Sequence, residues 1–214
     1  MRRAFKAQSD RRTAIVGNGL GLCLIIISIC IPASGLAAGT GQEQPDLTKL
    51  LQESQFLLPR HTDLRVKAIA ADPVLPYQWR ARTRNHELEV RVALRPLDRL
   101  HIEYDDPHGG APQPNHLFPL MFQKLLELMS RNASSIDRVY PRQQAKEKFK
   151  ADWAGAGIFD VSSNMNTDYQ QGFLLALHKN DVADVYVLLL FDHAKKIKAQ
   201  LQRILNELNF YPDS

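Results

Sequence analysis

The sequence predicts an α+β fold, an antiparallel β-sheet covered by helices in an α/β/α sandwich, with a C-terminal amphipathic helix packed on the sheet. Three stretches predict it. "YQWRARTRNHELEVRVALRP", Tyr77 to Pro96, alternates apolar and polar residues on both sides of Asn85-His86, as an antiparallel hairpin does. "GFLLALHKNDVADVYVLLLFD", Gly172 to Asp192, holds two apolar runs of strand length around a polar knot. Finally, "HAKKIKAQLQRILNELNF" places Ile197, Leu201, Ile204, Leu205 and Leu208 at spacings of three and four, which makes one apolar helical face.

The first 38 residues stand apart from that domain. Arg2, Arg3, Lys6, Arg11 and Arg12 precede an apolar run from Leu20 to Ile31, which Pro32 breaks before the small residues ASGLAAG. This is the order of parts in a secretory signal peptide, whose apolar region spans about 7 to 15 residues. Cleavage after Ala38 is expected, giving an exported chain, periplasmic or secreted; an uncleaved leader would instead be an N-terminal membrane anchor. Leu22 before Cys23 and Ile29 before Cys30 are too bulky for the residue preceding a lipidated cysteine.

Removing the leader changes the charge. The chain has 27 Lys+Arg and 23 Asp+Glu, formally +4; residues 1–38 take five basic residues and one acidic with them, leaving 22 of each. A neutral mature chain gives no whole-chain reason to bind nucleic acid or an anionic membrane, so membrane contact is expected only through an uncleaved leader. Both cysteines lie in the leader, so the exported domain has neither disulfide nor thiol nucleophile. About 175 remaining residues suffice for one ordinary core, expected over 59–214. Residues 39–58 read as a flexible lead-in with a short helix, capped by Asp46 and closed by Pro59.

The first hairpin can be tested by folding it at a two-residue loop. Arg84 then faces Glu87, Arg82 faces Glu89, Ala81 faces Val90 and Trp79 faces Val92, leaving Arg80 opposite Arg91 as the one poor pair. Arg80, Arg82 and Arg84 are candidate anion-binding residues. The plainer reading of the same ladder is a solvated face with cross-strand ion pairs of small worth.

In "RLHIEYDDPHGGAPQPN", His101, Glu103 and Asp105 alternate along a strand-like segment, with His108 just beyond. Imidazole and carboxylate suit zinc or a related divalent ion, which makes these four the candidate metal ligands; their spacing matches no closed ligand motif. No other cofactor is expected. "PNHLFPLMFQKLLELMSRN" reads as a helix with Asn115 as N-cap, Pro119 in the first turn, and a core stripe of Leu117, Leu120, Met121, Leu125, Leu128 and Met129. Asn132-Ala133-Ser134 matches a glycosylation acceptor in a eukaryotic source. In "QQAKEKFKADWAGAGIFDVSSNMNTDY", Gly155 and Gly157 mark a bend or bulge before a short strand, and Ser162 to Asn166 form a polar loop. GxSxG is absent, so nothing here marks a serine nucleophile.

The apolar runs on either side of "HKNDVAD" carry apolar residues on both faces, as central strands covered on both sides do. Lys179, Asn180 and Asp181 are expected as solvent-side turn residues and Asp184 as the start of the returning strand, while His178, at a strand end, is a candidate binding residue. Asp192 is the expected cap of the last helix, whose Lys195, Lys196 and Lys198 lie outside its apolar stripe.

The segments "ELEVRVALRP", "FKADW" and "YQQGFLLALHKNDVADVYVLLLFD", followed by the amphipathic tail, give the chain from Gln78 to Pro212 an order of elements that resembles the PsbP-like α/β/α sandwich. Photosystem accessory proteins and DcrB-type bacterial envelope proteins share it. The resemblance implies a non-enzymatic accessory module with a protein partner, and supplies no catalytic residues. The alternative is a metal-binding protein or metal-dependent envelope enzyme built on His101, Glu103, Asp105 and His108.

Overall fold

The computed structural model describes residues 46–99, 114–132 and 138–212. Helix α1 (Leu47–Glu53) starts at Asp46, whose carboxylate accepts a 2.9 Å hydrogen bond from the Thr48 N–H, as an N-cap should. β1 (Phe56–Leu57), β2 (Leu64–Val66), β3 (Trp79–Thr83) and β4 (Leu88–Pro96) follow. Then come α2 (Pro114–Met129), β5 (Arg138–Val139), α3 (Arg142–Phe149), β6 (Trp153–Asp160), β7 (Gln171–Lys179), β8 (Ala183–Phe191), α4 (Ala194–Glu207) and β9 (Asn209–Phe210).

Seven strands form one antiparallel sheet in the order β2-β3-β4-β8-β7-β6-β5, and β1 pairs with β9 beside it. The two apolar runs of Gly172–Asp192 become β7 and β8, at the centre of the sheet, in continuous register from Gln171↔Phe191 to Lys179↔Ala183. Both faces are covered, as the two-sided apolar pattern requires. On one side Leu50 of α1, Phe149 of α3 and Ile197, Ile204 and Leu205 of α4 pack on Val90, Leu175, Val187 and Leu189. On the other, Phe118, Phe122, Leu126 and Met129 of α2 pack on Leu174, Ala176, Tyr186 and Leu188. The fold is therefore α+β, with an antiparallel sheet between helical layers and the C-terminal helix packed on it.

The first hairpin has the register its side-chain pairing predicts, Trp79↔Val92, Arg80↔Arg91, Ala81↔Val90 and Arg82↔Glu89. Its connection is longer than two residues, because β3 ends at Thr83 and β4 begins at Leu88, with His86 in the left-handed region at φ 59°. The expected solvated face is also corrected. Glu89 and Arg91 are fully buried, since the segment from Asp72 to Tyr77 folds back over this side of the sheet.

Four further expectations change. Leu50 and Phe56 are buried and Phe56 meets Phe210 edge-on at 5.4 Å, so residues 46–58 belong to the packed domain rather than to a lead-in. α2 begins at Pro114, which moves Asn115 inside the helix and Pro119 beyond its first turn. β6 runs through Gly155 and Gly157 without a bulge, in register with Ala176 and Leu174. These glycines let α2 approach, because a Cβ at Gly155 would lie 3.0 Å from Phe122 and one at Gly157 2.9 Å from Leu126. Asp192 caps no helix; its Oδ1 accepts from the Gln170 N–H at 3.0 Å, and His193 holds the N-cap position of α4.

The predicted stripe of α2 is only partly inward. Leu125 and Met129 are buried together with Phe118, Phe122 and Leu126, whereas Leu120, Met121 and Leu128 are 63%, 51% and 42% exposed. Apolar residues lie on both sides of this helix, so spacing alone could not say which side meets the sheet.

Candidate functional site

A concave site lies at the end of the sheet where β7 turns into β8. Asn115, Phe118 and Pro119 of α2, Arg142 of α3, Asp152 and Trp153 at the start of β6, and His178 and Asn180 line a cleft of about 310 Å³. The strands bring these groups together through register: Trp153 pairs with His178, and His178 with Asp184.

His178 is the floor of the cleft and only 3% exposed. Its Nδ1 lies 2.6 Å from Asp184 Oδ1 and its Nε2 3.0 Å from Asn180 Oδ1, so both ring nitrogens are engaged. Phe118 stacks on the imidazole at 5.2 Å and on Tyr186 at 5.6 Å, and Trp153 meets Phe118 edge-on at 4.9 Å. Burial raises the Asp184 carboxyl above its ordinary value, opposed by His178 and by the charge of Arg95. Burial likewise pushes the Tyr186 phenol up, with the nearby Asp184 charge adding to the effect. Arg95 is lowered by burial, against the pull of Tyr186 and Asp184.

The turn above His178 is anchored from two sides, by Asp152 and by Asn115. The Asn180 N–H donates to Asp152 Oδ2 at 3.0 Å, and the Asp152 N–H donates to the His178 carbonyl at 2.8 Å. Asn115 Nδ2 donates to Asp181 Oδ1 at 2.9 Å, while the Asp181 N–H donates back to Asn115 Oδ1 at 3.2 Å. This bond is what Asn115 does in place of capping α2. Asp181 sits at φ 57°, a backbone region that aspartate tolerates in turns. Lys179 is a buried strand residue rather than a solvent-side one, and its ammonium donates to the Tyr211 carbonyl at 3.1 Å; Asp184 stands at the start of β8 as expected, and is buried.

This arrangement can orient an imidazole, with a carboxyl fixing Nδ1 as in acid-base pairs. The described lining offers no hydroxyl or thiol for His178 to activate, and Asn180 occupies its other nitrogen. Among the described residues no three His, Cys, Asp or Glu side chains group as metal ligands. The four candidate ligands His101, Glu103, Asp105 and His108 lie outside the described residues.

A second polar cluster forms where the arginine ladder was read. Arg80 Nε and Nη2 each donate to Glu89 at 2.9 Å, Arg82 Nε donates to Glu89 Oε2, and Arg91 Nε donates to Glu89 Oε1 at 2.7 Å. Burial by itself would raise the Glu89 carboxyl; the hydrogen bonds of Arg80, Arg82 and Arg91 outweigh it and hold the group below its ordinary value. Arg91 also reaches Asp72 Oδ2 at 2.6 Å and the Asn166 carbonyl at 2.8 Å, and lies over the Tyr77 ring. Asp72 Oδ1 in turn accepts from the N–H groups of Val74 and Leu75. Arg80 and Arg82 thus meet a carboxylate of the chain itself, whereas Arg84 stands exposed at the turn.

Glu89, Arg91, Asp72, Asn180 and Asp184 were not singled out as site residues from the sequence. One signal was present. Arg80 opposite Arg91 is unfavourable unless a shared counter-ion lies on the same face, and Glu89, two residues from Arg91, is on that face.

No family model matches the sequence, and no curated protein matches it. A search of solved structures finds a solution structure of cyanobacterial PsbP (CyanoP) from Synechocystis sp. PCC 6803, 6% identical, covering 74% of this chain and 88% of that chain at a TM-score of 0.42. No helix among the described residues is long and apolar enough to cross a membrane.

Proposed function

We propose that this chain is an exported, non-enzymatic accessory domain that acts by binding a protein partner, with the outward face of α2 as the contact surface. The observation that carries this reading is the exposure of three large apolar side chains on one helix, Leu120, Met121 and Leu128. Single exposed leucines need no explanation, but several on one helical face, opposite a face already buried in the core, suit a recognition surface. The signal-peptide pattern of residues 1–38 supports export, and the equal numbers of basic and acidic residues after it favour a protein over nucleic acid.

The test is site-specific photo-crosslinking in cells that express residues 1–214. A photoreactive side chain at Leu120 is expected to give a discrete protein adduct, lost on Leu128→Glu, while the same group at Lys195 on α4 gives none. The recovered chain is expected to begin at Gly39. No adduct from position 120, or equal adducts from 120 and 195, would overturn the reading.

A further inference from the structure

We infer that Asn180 is a proton-operated selector in the wall of the cleft. While His178 Nε2 carries a proton, the Asn180 amide oxygen is held on the imidazole and its NH2 group is left for the cleft. Loss of that proton turns the amide over and offers the oxygen instead.

The inference rests on the two contacts of one buried ring, Nδ1 to Asp184 Oδ1 at 2.6 Å and Nε2 to Asn180 Oδ1 at 3.0 Å. An amide oxygen only accepts, so Nε2 must be the donor and carries a proton. A second proton lies between Nδ1 and Oδ1. The imidazole and the carboxyl thus hold two protons and are neutral as a pair. As pH rises the pair gives one up. The proton between Nδ1 and Oδ1 stays, because its loss would set two lone pairs against each other at 2.6 Å between buried groups. Nε2 therefore loses its proton, and its lone pair then faces the Asn180 oxygen. Half a turn about the last side-chain torsion of Asn180, a soft one, replaces that repulsion with an Nδ2–H donated to Nε2.

The backbone need not move. The Asn180 N–H stays on Asp152 Oδ2 and Asp181 stays on Asn115, bonds in which the Asn180 amide takes no part. The surrounding charges support both states. The negative charge left on the pair is opposed by Arg95, the register partner of Asp184 on β4. On β8, burial keeps the Tyr186 phenol neutral. Asp152, at the start of β6, is matched by Arg142 and Lys146 of α3, 3.9 and 3.5 Å from its Oδ1. α2 lays the uncharged Phe118 ring on the imidazole, and the Lys179 ammonium is directed to the Tyr211 carbonyl and the Phe210 ring.

Asn180 is exposed and lines the cleft with Arg142, so the amide end that is not on His178 can meet a ligand. With NH2 offered, the cleft suits a ligand carbonyl or carboxylate; with the oxygen offered, it suits a hydroxyl or amine. One cleft then prefers hydrogen-bond acceptors at low pH and donors at high pH.

Nuclear magnetic resonance of 15N-labelled protein, expressed as residues 1–214, tests this. Long-range 1H–15N correlations of the imidazole read which nitrogen carries a proton, with His178 identified by its contacts with the Phe118 ring. Between about pH 5 and pH 9, Nε2 is expected to pass from protonated to unprotonated, leaving the Nδ1–H tautomer. The Asn180 side-chain NH2 resonances are expected to shift with the same midpoint. Asn180→Asp, whose ionised carboxylate cannot donate, is expected to raise that midpoint by about one unit or more. The unsubstituted protein carries the test by itself should the variant not fold. A His178 that keeps one state across this range, or that ends as the Nε2–H tautomer, overturns the inference. So do Asn180 resonances without an inflection at that midpoint, or a midpoint unmoved in a folded Asn180→Asp.

Discussion

His178 and Asp184 face one another as register partners across the β7–β8 hairpin, with 2.6 Å between imidazole Nδ1 and carboxyl Oδ1. At that distance one proton must lie between the two atoms, because a deprotonated nitrogen facing a carboxylate would set two lone pairs against each other. Burial favours the uncharged carboxyl, while His178 and Arg95 favour the charged one, and the net effect is an Asp184 raised from its ordinary 3.8.

A raised carboxyl contributes stability that is fully present below the unfolded value and lost as pH rises through the folded one. Asp184→Asn removes that loss while keeping an oxygen for Nδ1–H. Its stability is expected within about 1 kcal/mol of the parent at neutral pH, with a shallower decline as pH rises above about 3.8. Asp184→Ala leaves Nδ1 without a partner and is expected to cost about 1–3 kcal/mol. Urea melts across this pH range measure both; equal costs for the two substitutions would show that the hydrogen bond to His178 contributes nothing.

Glu89 titrates with the opposite sign. Its carboxyl is held below 4.5 in the fold despite a burial cost, because three guanidinium groups bond to it. The stability it contributes is present above 4.5 and is lost as pH falls through the folded value. Glu89→Ala strips Arg91 of one of its two buried carboxylate partners and leaves Arg80 and Arg82 around an empty centre. The expected cost is about 3–5 kcal/mol at neutral pH. Glu89→Gln is expected to flatten the acid limb of the stability profile. Denaturation at graded pH reads both effects, and an unchanged acid limb in the glutamine variant would assign acid lability to other carboxylates.

Gly155 is the position where the sheet leaves room for α2. A Cβ there would lie 2.3 Å from the Trp153 ring and 3.0 Å from Phe122, both rigid aromatic groups. Gly155→Ala is therefore expected to displace Trp153 from its edge-on contacts with Phe118 and Phe122, costing about 1–3 kcal/mol. The near-ultraviolet circular dichroism of the tryptophans should change with it. Gly157→Ala meets the methyl groups of Leu126, which can rotate away, and is expected to cost less. Thermal melts that rank the two substitutions in the reverse order would contradict this account of the packing.

The hairpin of β3 and β4 was legible because alternation and charge pairing agree on one register, and both signals are carried by neighbouring residues. β7 and β8 were legible for a similar reason, since apolar residues on both strand faces require a cover on both sides. The stripe of α4 was legible because its opposite face is charged. α2 was not, because Leu120, Met121 and Leu128 compete with Phe118, Phe122 and Leu126, and it is the sheet, where Gly155 and Gly157 leave room for Phe122 and Leu126, that meets the aromatic side.

Local pattern by itself thus determined the type of the main elements, the register of the first hairpin and the central place of β7 and β8. It also separated a basic N-terminal segment from a remainder with balanced charge. Tertiary structure alone decided that Glu89 and Arg91 are buried, that His178 meets Asp184 beneath the turn, and that Leu120, Met121 and Leu128 face outward. The physical reason is range. Alternation, caps and helical spacing act over a few residues, whereas burial depends on which distant segment covers a face, as Asp72 does for Arg91 from 19 residues away.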